Sequence, residues 1–200
     1  DQRQSAVMAA LTIAQFQAKI QACIDATRDK GPDDWLEVES WFQQNMLPAG
    51  TEVSREDLDM LQTQRPILVR SSFGHSTLAN SRAMELANIT ADTPDPEAGK
   101  IAHNAAGQPT GILEDSAQGL FDHMLPEITD AEMLAAAQAS LEAVRAQGIT
   151  TFLDASADAR TVAAYAALQR EGKLTARAHF AMEITPEEGR KPEEAVAALV

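Results

Sequence analysis

The stretch "ITTFLDASADARTVAAYAALQREGKLTARAHF", residues 149–180, decides the fold. Its opening "ITTFLDA" reads as a strand, and from about Ala159 to Glu171 the pattern is helical until Gly172 stops it. The following "TARAHFAMEI" alternates polar and apolar residues as a second strand. Two strands joined through a helix lie parallel, with a right-handed crossover. Parallel strands alternating with helices specify an α/β sheet or barrel. Immediately upstream, Thr129 and Glu132 form a capping box ahead of "MLAAAQASLEAVRAQ", with Gly148 as its stop. That predicts a helix of about five turns.

Further toward the start the pattern is mixed. An amphipathic helix is predicted from Ser5 to Arg28, with Leu11, Ile13, Phe16, Ile20, Cys23 and Ile24 near helical spacing, broken by "KGPDD". "WLEVESWF" reads as a strand, and "LPAGTEVSREDLDML" as a loop and short helix with Ser54 as N-cap. "RPILVRS" is the next strand, and a Ser-rich, Gly-containing turn after it presents His75. "NSRAMELANI" is a helix, "TADTPDPEAG" a Pro/Asp loop, and "KIAHNAAGQPTGILE" a hairpin around Gly107 and Pro109. The chain begins with Asp1 rather than Met and stops within a helix-like "KPEEAVAALV", which reads as a piece of a longer protein.

Two hundred residues at 44% hydrophobic content can bury one good core or two small ones. The net charge of −14 opposes phosphate backbones and anionic headgroups, so neither nucleic acid nor membrane is an expected partner. Cys23 is the only cysteine, which excludes an internal disulfide and a thiolate metal cluster and fits a reducing, cytoplasmic setting. The run "AVMAALTIA" is too short to span a bilayer and lacks the flanks of a signal peptide.

Ligands of parallel α/β folds sit at the carboxyl ends of strands, so Asp154, placed at the end of "ITTFLD", is either a site residue or a cap for the helix that follows. His75 follows Gly74, which permits a sharp turn that exposes the imidazole; it is a working group or a structural hydrogen-bonder. Ser71, Ser72 and Ser76 lie close to it, but no G-x-S-x-G elbow marks a serine nucleophile, so a serine hydrolase is a minor alternative. Glu114 and Asp115 close the hairpin, where a carboxylate takes a proton or stabilises the start of a nearby helix. His179 shares the polar face of its strand with Arg177 and Glu183, a face that points into a barrel or forms a buried polar layer. His103, His123 and His179 are scattered, with no pair at metal-ligand spacing. "GQPTG" lacks the Lys-Ser/Thr of a phosphate loop and no G-x-G-x-x-G occurs, which removes nucleotide binding.

The order of the pieces is more specific than any one of them. "RPILVRSSFGHSTLANSRAMELANIT", "TPDPEAGKIAHNAAGQPTGILEDSAQGLF", "AQGITTFLDAS" and "YAALQREGKLTARAHF" together resemble the YtcJ-like branch of the metal-dependent amidohydrolases, the group that includes N-substituted formamide deformylases. The resemblance runs from about Trp35 to about Glu183. It implies a TIM-barrel hydrolase acting on a C–N bond of an amide, formamide or cyclic amide. It also implies a divalent metal, zinc in the usual case, held by a His-x-His, a lysine, two further histidines and an Asp. No His-x-His is present, so the resemblance places the metal ligands outside this chain and makes the isolated chain inactive. The expected organisation is an inserted α+β subdomain at residues 1–125 and part of a (β/α)8 barrel, its second and third strands with their helices, at residues 126–200.

By motif, His75 matches the turn histidine, Asp154 the strand-end Asp and Glu114 the hairpin-end Glu, and the resemblance assigns all three to the substrate pocket or its surroundings rather than to metal. Two positions depart from the pattern: Phe73 stands where an Asp usually precedes Gly-His, and Ser40-Trp41 where Gly-Trp is usual. A small-molecule substrate is the expected partner, with a dimer through exposed strand edges as a further expectation. The alternative from another class is a non-catalytic α/β module that binds a ligand or a protein.

Overall fold

The computed structural model describes residues 10–182 together with positions 190, 191 and 193. Most of the helix expected in "KPEEAVAALV", the first residues of the Ser5–Arg28 helix, and Glu183 and Ile184 of the last strand lie outside the described residues. The chain divides into two compact units, Asp1–Leu125 and Pro126–Val200.

The first unit opens with a short strand, β1 (Leu11–Thr12), and helix α1 (Ile13–Ala26). The helix starts later than the apolar pattern predicts because Thr12 caps it: the Thr12 side chain accepts from the Gln15 N–H, and the Gln15 side chain accepts from the Thr12 N–H at 2.9 Å. β2 (Leu36–Trp41) follows, then β3 (Met46–Leu47), which pairs parallel with β1, and helix α2 (Arg55–Asp59) behind Ser54. After β4 (Ile67–Ser71) comes a strand that the sequence reading did not separate from the turn and helix, β5 (Ser76–Ala79). Helix α3 (Ser81–Leu86), the hairpin β6 (Gly99–His103) and β7 (Pro109–Asp115), and a 3₁₀ helix at Ser116–Met124 complete the unit.

Five strands form one mixed sheet in the order β2-β4-β5-β7-β6, with β2 and β4 parallel and the remaining pairs antiparallel. Both faces are covered, which explains the unbroken apolar run "ILV" in β4. Ile67 and Val69 join Phe16, Ile20, Leu58, Leu78 and Ile112 in one core cluster. Leu68 joins Met84, Ile101, Leu113 and Phe121 in another. A period of two in the strand thus supplies both layers.

Several residues of the recognised motifs hold this sheet together. Arg65 is buried, and its guanidinium donates to the Asp34 and Trp35 carbonyls at 2.7 and 3.0 Å and to the Thr27 hydroxyl at 2.8 Å. Buried Asn80 accepts from the N–H groups of Ile67 and Ala83 and donates to the Arg65 carbonyl, so one amide caps α3 and pins β4. In the Pro/Asp loop, the Asp95 carboxylate accepts from the Ile101 N–H at 2.8 Å and anchors β6.

The second unit contains helix α4 (Asp130–Ala146), strand β8 (Thr151–Ala157), helix α5 (Ala159–Arg170) and strand β9 (Arg177–Met182). The capping box at Thr129 and Glu132 is formed, Gly148 and Gly172 take positive φ at the helix ends, and β8 and β9 pair in parallel as expected. The helices cover one face of this pair: Phe152, Tyr165 and Phe180 stack with centroids 5.1–6.4 Å apart over Leu141, Ala164 and Leu168. On the other face Leu153 is 64% exposed, and Thr151, Arg177 and His179 are exposed beside it. The overall class is mixed α/β. Among the described residues no helix is long and apolar enough to cross a membrane.

Candidate functional site

The β4–β5 hairpin presents the Ser-rich turn at one end of the five-stranded sheet. Gly74 sits at φ 74 and donates to the Ser71 carbonyl at 3.0 Å, and the Ser72 N–H donates to the Trp41 carbonyl at 2.8 Å. The turn holds Phe73 and His75 on either side of Gly74. Phe73 is 59% exposed and meets Phe42 edge to face at 5.0 Å between centroids. Two aromatic rings packed this way at a surface form a small apolar ledge.

His75 is the centre of the candidate site. β5 and β7 run antiparallel with Ser76 opposite Glu114, so the next pair outward is His75 with Asp115. The Asp115 N–H donates to the His75 carbonyl at 3.0 Å, and the Asp115 carboxylate meets the imidazole Nδ1 at 3.0 Å. Adjacent strand residues point to opposite faces, so Asp115 rather than Glu114 reaches the imidazole. Glu114 lies in the ladder between Ser76 and Lys100. The His75 side chain nevertheless remains 81% exposed.

The backbone at Asp115 is unusual, with φ 48 and ψ −124. A side-chain-bearing residue held in so sparsely populated a region costs on the order of 1–3 kcal/mol. An exposed contact of this kind returns only about 0–1 kcal/mol, so it does not offset that cost. What holds the conformation is Gln118, whose amide donates to the Gly74 carbonyl at 2.8 Å and to the Asp115 carbonyl at 3.3 Å. The Gln118 oxygen in turn accepts from the hydroxyl of fully buried Thr77 at 2.7 Å. Gln118 was not among the sequence candidates, and only the 3₁₀ turn that follows β7 brings it back onto the hairpin. No serine hydroxyl bonds the imidazole among the described residues; the Ser71 oxygen accepts from the Phe73 N–H at 3.3 Å.

Asp154 belongs to the other unit. It does not end its strand: β8 continues to Ala157, with an irregularity in register after Asp154. Nor does it cap α5. That role falls to Asp158, whose carboxylate accepts from the Thr161 N–H at 2.7 Å and is held below the usual carboxylate range by the Thr161 backbone and side chain. Asp154 accepts from the Ser156 N–H at 3.1 Å and lines a cavity of about 190 Å³ with Met133, Ser140, Thr161 and Tyr165, on the side facing the helices. His179 lies on the opposite, exposed face of the pair.

Among the described residues no group of three or more His, Cys, Asp or Glu side chains converges to hold a metal ion. The divalent metal that the resemblance implies therefore does not fit the donor sets of the described residues.

The sequence profile of the amidohydrolase family matches residues 2–199. YtcJ of Bacillus subtilis (strain 168), named as an amidohydrolase, is 33% identical over 131 residues, which cover 66% of this chain and 25% of that protein. The exoenzymes regulatory protein AepA of Pectobacterium carotovorum is 33% identical over 138 residues, covering 64% of this chain and 28% of its own length. An N-substituted formamide deformylase of Arthrobacter pascens is 36% identical over 67 residues, covering 34% and 12%. The crystal structure of a metal-dependent hydrolase from Pyrococcus horikoshii OT3 matches 96% of this chain and 36% of its own, with a TM-score of 0.50 at 19% identity. That likeness speaks for the fold. The chain spans about a quarter of the length of the first two curated relatives.

Proposed function

Because the chain belongs to the amidohydrolase family, we propose that it forms part of a metal-dependent hydrolase cleaving a C–N bond of an amide, formamide or cyclic amide in a small-molecule substrate. The match of the family profile along residues 2–199 carries this reading, and the partial identity with a formamide deformylase supports its C–N direction. The reading has residues 1–125 as an inserted α+β subdomain, and residues 126–200 as a strand, helix, strand piece of a (β/α)8 barrel. It has the divalent metal, zinc, bound by residues outside this chain, so the 200 residues alone do not turn over substrate. His75, Asp154 and Glu114 are assigned to the substrate pocket or the residues around it; of these His75 has the strongest support, being exposed, oriented and beside an apolar ledge. An exposed free thiol at Cys23 suits the cytoplasm. Pairing of two copies through open strand edges belongs to the same proposal.

The test is expression of the whole reading frame that contains this chain, followed by assay against a panel of amides, formamides and cyclic amides. The expected outcome is hydrolysis of the C–N bond, read as amine or ammonia release or as ring opening of a cyclic amide, that a chelator abolishes and added zinc restores. Hydrolysis of esters or phosphates alone, or no chelator-sensitive hydrolysis of any member of the panel, would overturn the reading.

A further inference from the structure

We infer that Asp115 is a positioning residue for His75, holding the imidazole so that Nε2 receives an N–H group of the substrate. The inference rests on the assignment of His75 to the substrate pocket and names the group that it recognises.

A carboxylate only accepts hydrogen bonds, so its contact with Nδ1 at 3.0 Å requires the hydrogen of the neutral ring to sit on Nδ1. Nε2 is then left with a bare lone pair. That nitrogen accepts from a donor, and the donor natural to a C–N substrate is the N–H of an amide that keeps one hydrogen on its nitrogen. The Phe73 and Phe42 rings flank the same turn and offer an apolar contact to the rest of such a molecule.

An incidental surface pair would leave the two backbones unconnected. Here the partners are tied on both sides of the contact. The ladder bond from Asp115 to the His75 carbonyl fixes their backbones, and Gln118 bridges Gly74 and Asp115 while itself anchored on buried Thr77. Asp115 keeps this place in a backbone conformation that glycine would adopt more readily. Retaining a side chain where the backbone favours none is what a role for that side chain requires.

The test uses Asp115→Gly, which removes the carboxylate while relieving the backbone, so folding is protected. In the whole protein labelled with 15N-histidine, the His75 ring should show the Nδ1–H form, and Asp115→Gly should shift it toward the Nε2–H form. This readout needs no turnover, so it stands or falls separately from the C–N reading. In kinetics with an N–H amide, His75→Ala and Asp115→Gly should each lower kcat/KM at least tenfold with metal content unchanged. The double variant should be no worse than His75→Ala, and the N-methylated amide should be insensitive to all three. An unchanged tautomer in Asp115→Gly, or a loss in the double variant equal to the product of the single losses, would overturn the assignment.

Discussion

Ser40 and Gly111 show how single residues carry backbone demands in this fold. Ser40 has φ 69, in the left-handed region that favours glycine, and it stands where the family pattern has Gly before Trp. A side chain there costs about 1–2 kcal/mol. Gly111, the last residue of "GQPTG", has φ 92, and a Cβ on it would meet the Ala79 carbonyl oxygen at 2.4 Å and Arg55 Cβ at 2.8 Å. These two positions predict opposite results. Ser40→Gly should stabilise the chain by about 1 kcal/mol, after the entropy that glycine adds to the unfolded state. Gly111→Ala should destabilise it by roughly 2–3 kcal/mol through strain and overlap. Urea unfolding of the two variants checks both, and an unchanged midpoint for Gly111→Ala would refute the close approach of α2 and β7. Phe73 belongs to the same scale: in place of a carboxylate beside His75 it puts an apolar ring, so the imidazole's charged neighbour comes from Asp115 across the sheet.

At the scale of elements, the caps are the most sensitive points. The Glu132 carboxylate accepts from the Thr129 N–H and hydroxyl at 2.8 and 2.7 Å, and these bonds hold its pKa below the ordinary glutamate value of 4.5. A group whose folded pKa is depressed stabilises the fold above its unfolded value and loses that contribution as pH falls through the folded one. The urea midpoint of the native chain should therefore exceed that of Glu132→Gln most at neutral pH, and the gap should close as the pH drops below the ordinary glutamate range. Asp158 titrates in both proteins and cancels from the comparison. A gap independent of pH would mean that the ionised capping box contributes nothing to α4. The element that sequence pattern missed, β5, is four residues long and follows a turn only four residues after β4 ends. So short a strand, Ser-Thr-Leu-Ala, has no periodicity of its own; the ladders to β4 and β7 on its two sides create it.

For the molecule as a whole, the two units differ in how completely they bury their sheets. Among the described residues the first covers both faces of five strands, whereas the second covers one face of two. If two copies pair as proposed, the exposed face around Leu153 and the edges of β8 and β9 that are open among the described residues are where they would meet. Sedimentation of the purified chain should show a dimer that dissociates on dilution, and Leu153→Lys should weaken it at least tenfold. A monomer at every concentration would remove this contact from the proposal.

The sequence by itself determined the elements whose signals are local. The capping box at Thr129, the glycine stops, the parallel strand, helix, strand order and the Pro/Asp loop follow from hydrogen bonds and dihedral preferences within a few residues. The order of motifs then determined the family. Tertiary structure alone decided what those motif residues do, because burial and cross-strand register are not written in local spacing. Arg65, Asn80, Asp95 and Gly111 hold the sheet. Asp154 lies within its strand rather than at its end, and Asp158 takes the cap. Asp115 reaches His75 and Glu114 does not, because one step along a strand turns a side chain to the opposite face.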